Sequence, residues 1–121
     1  MTKRAEHAQL EERLIAFAGR VLDLVEQLPQ NPVAKHLSAQ IMRSATSPAL
    51  NYGEAQGAES RSDFVHKMKI CVKELRETAV CLRLIQDRHW HAIERFDPLL
   101  QENNELIAIF VSSIKTALKN T

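Results

Sequence analysis

Residues 44–60 read SATSPALNYGEAQGAES, and the fold turns on whether this stretch is a loop or part of a helix. Pro48, Asn51, Gly53 and Gly57 are poor helix formers. Yet Val33, Leu37, Ile41 and Ala45 lead into the stretch at helical spacing, and Tyr52 continues their face. Asn31 followed by Pro32 gives a cap and a first-turn proline, where a missing N–H costs nothing. The pattern predicts a single helix over residues 32–57 that carries its own breakers.

Stepping about 100° per residue around that helix shows why the breakers are tolerated. Gln40, Arg43, Ser44, Ser47, Asn51 and Glu54 gather in one sector, while Leu37, Ile41, Ala45, Ala49, Tyr52 and Ala55 occupy the adjoining one. The polar residues form a ladder along the edge of the core. Small side chains beside it let a second helix approach closely. Hydroxyls and amides then bond across the contact or to a carbonyl freed by Pro48. Arg43 and Glu54 lie three turns apart and cannot reach each other, so each needs a partner on another helix or subunit. Gln40, Arg43, Ser47, Asn51 and Glu54 are therefore read as a polar interhelical or intersubunit network. The competing reading is a ligand or catalytic site built from Arg43, Asn51 and Glu54.

The rest of the chain repeats the helical pattern. Leu10, Leu14, Phe17, Val21, Leu24 and Leu28 mark a helix over about 5–28, closed by Pro29. Ser60 with Asp63 opens a third over 61–88, whose Phe64, Met68, Cys71, Leu75, Thr78 and Leu82 step as a heptad seam. Asp97-Pro98 opens a fourth over 98–119, carrying Leu100, Ile107, Phe110, Val111, Ile114 and Leu118. With 121 residues, 45% hydrophobic, and only 3 glycines and 4 prolines, the chain suits one all-α domain, 1–121, with short connections. An antiparallel up-down-up-down four-helix bundle is the natural architecture.

Sixteen Lys and Arg balance fifteen Asp and Glu to leave +1, so net charge names no partner. No apolar run approaches the roughly 20 residues of a membrane span. The opening MTKRAEHAQLEERL has no apolar signal segment, which makes the cytoplasm the expected location. Cys71 and Cys81 on one helix stand about 280° and about 15 Å apart, too far to bridge, and read as buried free thiols.

The run Gln40-Ile-Met-Arg43-Ser-Ala45, with Ser47, Asn51 and Glu54, then Arg61-Ser62-Asp63-Phe64 and Lys73-Glu74-Leu75, resembles a known signature. It is that of the bacterial four-helix bundle family named after proteins encoded in intervening sequences of large-subunit ribosomal RNA genes. The family also includes the accessory variability determinants of diversity-generating retroelements. Its pattern, approximately QIRRAAxSIPANIAEG, matches Gln40, Arg43, Ser47, Asn51 and Glu54 in register, with the proline here one position early. The resemblance implies a left-handed bundle, commonly a ring-shaped homopentamer, and carries no catalytic motif or cofactor. The retroelement members are basic and bind nucleic acid together with a reverse transcriptase.

Helix three adds two features. Lys69, Lys73, Arg76 and Arg83 share an outer sector as a basic strip with no acid between them, a candidate contact for RNA or DNA phosphates. A solvated face, or salt bridges to the acidic first helix of a neighbouring copy, explains the strip equally well. Val65, Ile70, Val72, Val80 and Leu84 lie off the seam, and helix four is apolar over a wide sector. Both favour burial against another subunit, hence a homo-oligomer. His89-Trp90-His91 with Glu94 is the one cluster resembling metal ligands, although Trp90 at a bundle end with solvated histidines is the plainer reading. The expected protein is a non-enzymatic oligomeric assembly or adaptor module. The alternative is a small-molecule- or metal-dependent enzyme using Arg43, Asn51 and Glu54, or His89 and His91.

Overall fold

A computed structural model describes residues 2–90 and 96–120. Four helices follow in order, α1 (Lys3–Glu26), α2 (Pro32–Gln56), α3 (Arg61–Gln86) and α4 (Phe96–Lys119), and no strand is present among the described residues. Each helix is antiparallel to its sequence neighbour. Arg43 of α2 meets Glu74 and Glu77 of α3, whereas Glu54, further along α2, meets the earlier Lys67. Arg13 of α1 likewise reaches Glu102 of α4. Contacts run α1 to α2, α2 to α3, α3 to α4 and α4 back to α1, closing an up-down-up-down bundle.

The starts of three helices are set by side-chain caps. Thr2 Oγ1 accepts from Ala5 N, Asn31 Oδ1 from Ala34 N at 2.8 Å, and Ser60 Oγ from Asp63 N at 3.0 Å, each satisfying a donor that the first turn leaves free. Thr2 starts α1 two residues before the apolar pattern suggests. The last turn of the first predicted helix is absent: α1 stops at Glu26, and the buried Leu28 belongs to the link. At the end of α3, Asp87 is the C-cap and His89 takes φ 56°, a left-handed conformation that stops the helix. Helix α4 opens at Phe96, so Asp97 and Pro98 lie inside its first turn and not at its cap.

The core is built from Leu14, Phe17, Val21 and Leu24 of α1 and Ile41, Ala45 and Tyr52 of α2. Opposite them lie Met68, Leu75 and Leu82 of α3 and Phe96, Leu106 and Phe110 of α4. Burying each large side chain contributes roughly 1.5–3 kcal/mol. Tyr52 stands edge-on to Phe110 across the bundle, centroids 5.7 Å apart. Two expectations shift. Val65, placed off the seam of α3, is buried, and α4 buries Leu99, Asn103 and Leu106 while Leu100, Ile107 and Ile114 are only partly buried. Helices in a square bundle touch two neighbours, so each buries a wider arc than a two-stranded seam.

Among the described residues the buried polar side chains are Ser44, Thr78 and Asn103. Asn103 donates from Nδ2 to the Leu75 carbonyl at 2.8 Å, and its Oδ1 meets no donor. A buried orphan acceptor costs about 1–3 kcal/mol. Asn103→Leu is expected to stabilise the fold by about 1 kcal/mol, read as a thermal midpoint raised by a few degrees; a lower midpoint would mean the amide is a net stabiliser.

Candidate interaction surface

The ladder on α2 meets α3 at several levels. Arg43 donates to Glu74 at 2.8 Å through Nη1 and to Glu77 through Nη2, and these carboxylates raise its pKa. Immediately beside it, towards the core, the hydroxyls of Ser44 and Thr78 are hydrogen-bonded at 2.9 Å with both residues buried. Cys71 Sγ lies 3.5 Å from the Pro48 carbonyl. At the far end Lys67 Nζ approaches Glu54 at 3.5 Å. Ser47 and Asn51 act within α2: Asn51 Nδ2 donates to Ser47 Oγ at 2.9 Å and to its carbonyl. Gln40 is exposed.

The carbonyl freed by Pro48 is that of Ser44, but Ser44, Thr46 and Asn51 turn to the carbonyls of Ile41, Met42 and Ser47. Their short side chains reach back three or four residues along their own helix. That departs from the expected use of these side chains. Arg43, Asn51 and Glu54 are thus held by three different sets of partners, and the structure does not gather them around a common point.

This contact also sorts the charges of α3. Glu74 and Glu77 face Arg43, and the Glu74 side chain is only 12% exposed. Lys69, Lys73, Arg76 and Arg83 remain on the outside, exposed, and form no ion pair among the described residues. Val80 and Leu84 stand among them, 56% and 48% exposed. Asp87, in the same sector at the C-cap, ends the strip with an acid. Beside Leu84, a shallow groove of about 530 Å³ runs over Pro32, Val33 and Leu37 to Arg88.

A pair that the sequence did not suggest joins α1 to α4. Arg13 donates to Glu102 through Nε at 3.0 Å and Nη2 at 2.6 Å, and Nη2 also reaches Glu105. The hydrogen bonds that Arg13 donates to Glu102 and then to Glu105 raise its pKa. A cleft of about 310 Å³ opens beside it at one end of the bundle, between His7, Leu10, Tyr52, Phe64 and Ile109. Trp90 packs partly buried against the core, and His89 is exposed. His91 and Glu94 lie outside the described residues, and among those described no group of three or more His, Cys, Asp or Glu is placed to hold a metal. No described helix is long and apolar enough to cross a membrane.

Residues 6–112, which include the ladder and the strip, match the family model described as 23S rRNA-intervening sequence protein. The chain belongs to that family. A crystal structure from Bacteroides thetaiotaomicron, described as a protein with unknown function from the S23 ribosomal protein family, superposes with a TM-score of 0.81 at 31% identity. The match covers 88% of this chain and 98% of that one, so the two share the whole bundle. No curated protein matches the sequence. Among the described residues, the charged and apolar helix faces are the features to explain.

Its buried titratable groups are set by the core. Burial, with Glu11 adding, pushes the Tyr52 hydroxyl from 10.0 up to about 12, and burial pushes the Cys71 thiol from 9.0 up to about 12. Burial also raises Cys81, and both thiols are free. The folded protein holds these protons more tightly than the unfolded chain. Their stabilising effect is therefore complete below about pH 9 and drains away as pH rises towards 12. Tyr52 is the sole tyrosine, so tyrosinate absorbance reports it alone. The native chain should titrate near 12 and the denatured chain near 10. A native midpoint at 10 would contradict its placement in the core.

Proposed function

We propose that this protein is a non-catalytic, self-assembling four-helix module whose copies form a ring, with five the order that the family resemblance suggests. One observation carries this reading: a single folded copy leaves large apolar side chains in water. Leu50 is 69% exposed, Val80 56%, Val33 51% and Ile15 49%. Val33 and Leu84 further adjoin in the groove between α2 and α3. Isolated exposed residues are ordinary on any surface. An apolar groove continuous with exposed valine and leucine is what subunit contact would cover. A ring presents each remaining face several times over, so contacts that are weak singly add through multivalency.

A second reading, favoured by the four unpaired cations of α3, gives the strip to nucleic-acid phosphates or a nucleic-acid enzyme. Binding to RNA or DNA would then weaken steeply with salt and vanish in Lys73→Glu/Arg76→Glu. The enzyme alternative would instead be supported by metal retained stoichiometrically through a chelator-free purification.

The assembly reading is tested by the solution mass. Sedimentation of nuclease-treated protein at micromolar concentration should give a discrete multiple of 13.7 kDa, five-fold for the pentamer. A 13.7 kDa species alone would overturn it.

A further inference from the structure

The outer face of α1 mirrors the strip on α3. Around its axis, Glu12, Gly19 and Glu26 point away from the core stripe of Leu14, Val21 and Leu24, with Ile15 and the half-buried Leu22 on their flank. Glu11, Glu12, Asp23 and Glu26 are exposed and form no ion pair among the described residues. Ile15, 49% exposed, sits between the upper and lower acids. The α3 face has the opposite charge, with Val80 between its upper and lower cations.

The spacing agrees as well as the sign. Glu12, Gly19 and Glu26 recur at seven-residue steps, and so do Lys69, Arg76 and Arg83. Each set covers the same four turns, about 21 Å. Laid side by side in the same direction, as in a ring of like-oriented bundles, one register matches both sets. It sets Glu12 against Lys69, Gly19 beneath Arg76 and Glu26 against Arg83, with Leu22 beside Val80. Seven-residue matching of opposite charges flanking apolar contacts is how parallel helices select their partners. Gly19 fits this role: a Cβ added there would meet nothing within 4 Å. Packing inside the bundle therefore gives no reason for a residue that costs about 1 kcal/mol in a helix interior.

We propose that the outer face of α1 in one copy docks on the outer face of α3 in a second copy, burying Leu22 against Val80 between two sets of ion pairs. The inference rests on the assembly reading and names its interface. It also assigns the strip to protein, since a strip covered by α1 has no room for phosphates. The apolar Val80 and Leu84 among the cations favour that choice. Helices α1 and α3 occupy opposite corners of the bundle, so the contact is head-to-tail and each copy keeps one free face of each kind. Such contacts propagate until they close as a ring.

The test is charge reversal at exposed positions, read as mass by sedimentation with circular dichroism to confirm the fold. Glu12→Lys/Glu26→Lys and, separately, Lys69→Glu/Arg83→Glu should each reduce the assembly to the 13.7 kDa chain. An equimolar mixture of the two double variants should restore contact, because α1 of each variant then faces an oppositely charged α3 on the other. The quadruple variant, in which every pair is opposite again, should return to the wild-type mass. Wild-type protein that is itself monomeric overturns the assembly reading. An oligomer whose mass neither double variant changes overturns this interface alone. Loss of RNA binding in Lys69→Glu/Arg83→Glu with the mass unchanged does the same, and gives the strip to nucleic acid.

Discussion

The close approach of α2 to α3 governs the rest of the structure. It is the most extensive of the four helix contacts, and it is made where α2 carries Ser44, Ala45, Pro48 and Ala55, all buried and all small. Ser44 and Pro48 give up intrinsic helix propensity. In return α3 comes near enough for the Ser44 and Thr78 hydroxyls to bond in the core and for Cys71 to reach the Pro48 carbonyl. Within residues 44–60, Ser44 and Pro48 serve the close packing of the two helices, whereas Gly53 and Gly57 are exposed and Asn51 bonds within α2.

The same contact decides what the protein shows to its surroundings. Arg43 holds Glu74 and Glu77 on the flank of α3 that faces α2. With the acids of α3 occupied there, its outer surface is left with unpaired cations around Val80 and Leu84. On α1, Arg13 is drawn to Glu102 and Glu105 of α4, while Glu11, Glu12, Asp23 and Glu26 stay exposed.

Much of this was legible from the sequence. The four helices follow from apolar spacing and from the caps at Asn31 and Ser60, both local signals. The location of the α2 ladder and the α3 strip follows from the same periodicity. What escaped depends on contacts between distant segments. Arg13 and Glu102 are brought together by the whole fold, and nothing in their immediate neighbours marks either. Val65 is buried because two neighbouring helices cover α3, which a single seam understates. Asn103 does carry a local signal: it sits on the Leu99, Leu106, Phe110 spacing, the stripe that α4 turns to the core. The expected bonds to the carbonyl freed by Pro48 did not form, because short polar side chains find acceptors on their own helix first.

A double-mutant cycle between Ser44→Ala and Thr78→Val tests the central claim most directly, since it asks whether α2 and α3 are locked through that buried hydroxyl pair. Equilibrium unfolding of the wild type, both single variants and the double variant gives the coupling. The account predicts about 1 kcal/mol between the two positions. Additive effects, within the roughly 0.3–0.5 kcal/mol expected of independent sites, would contradict it.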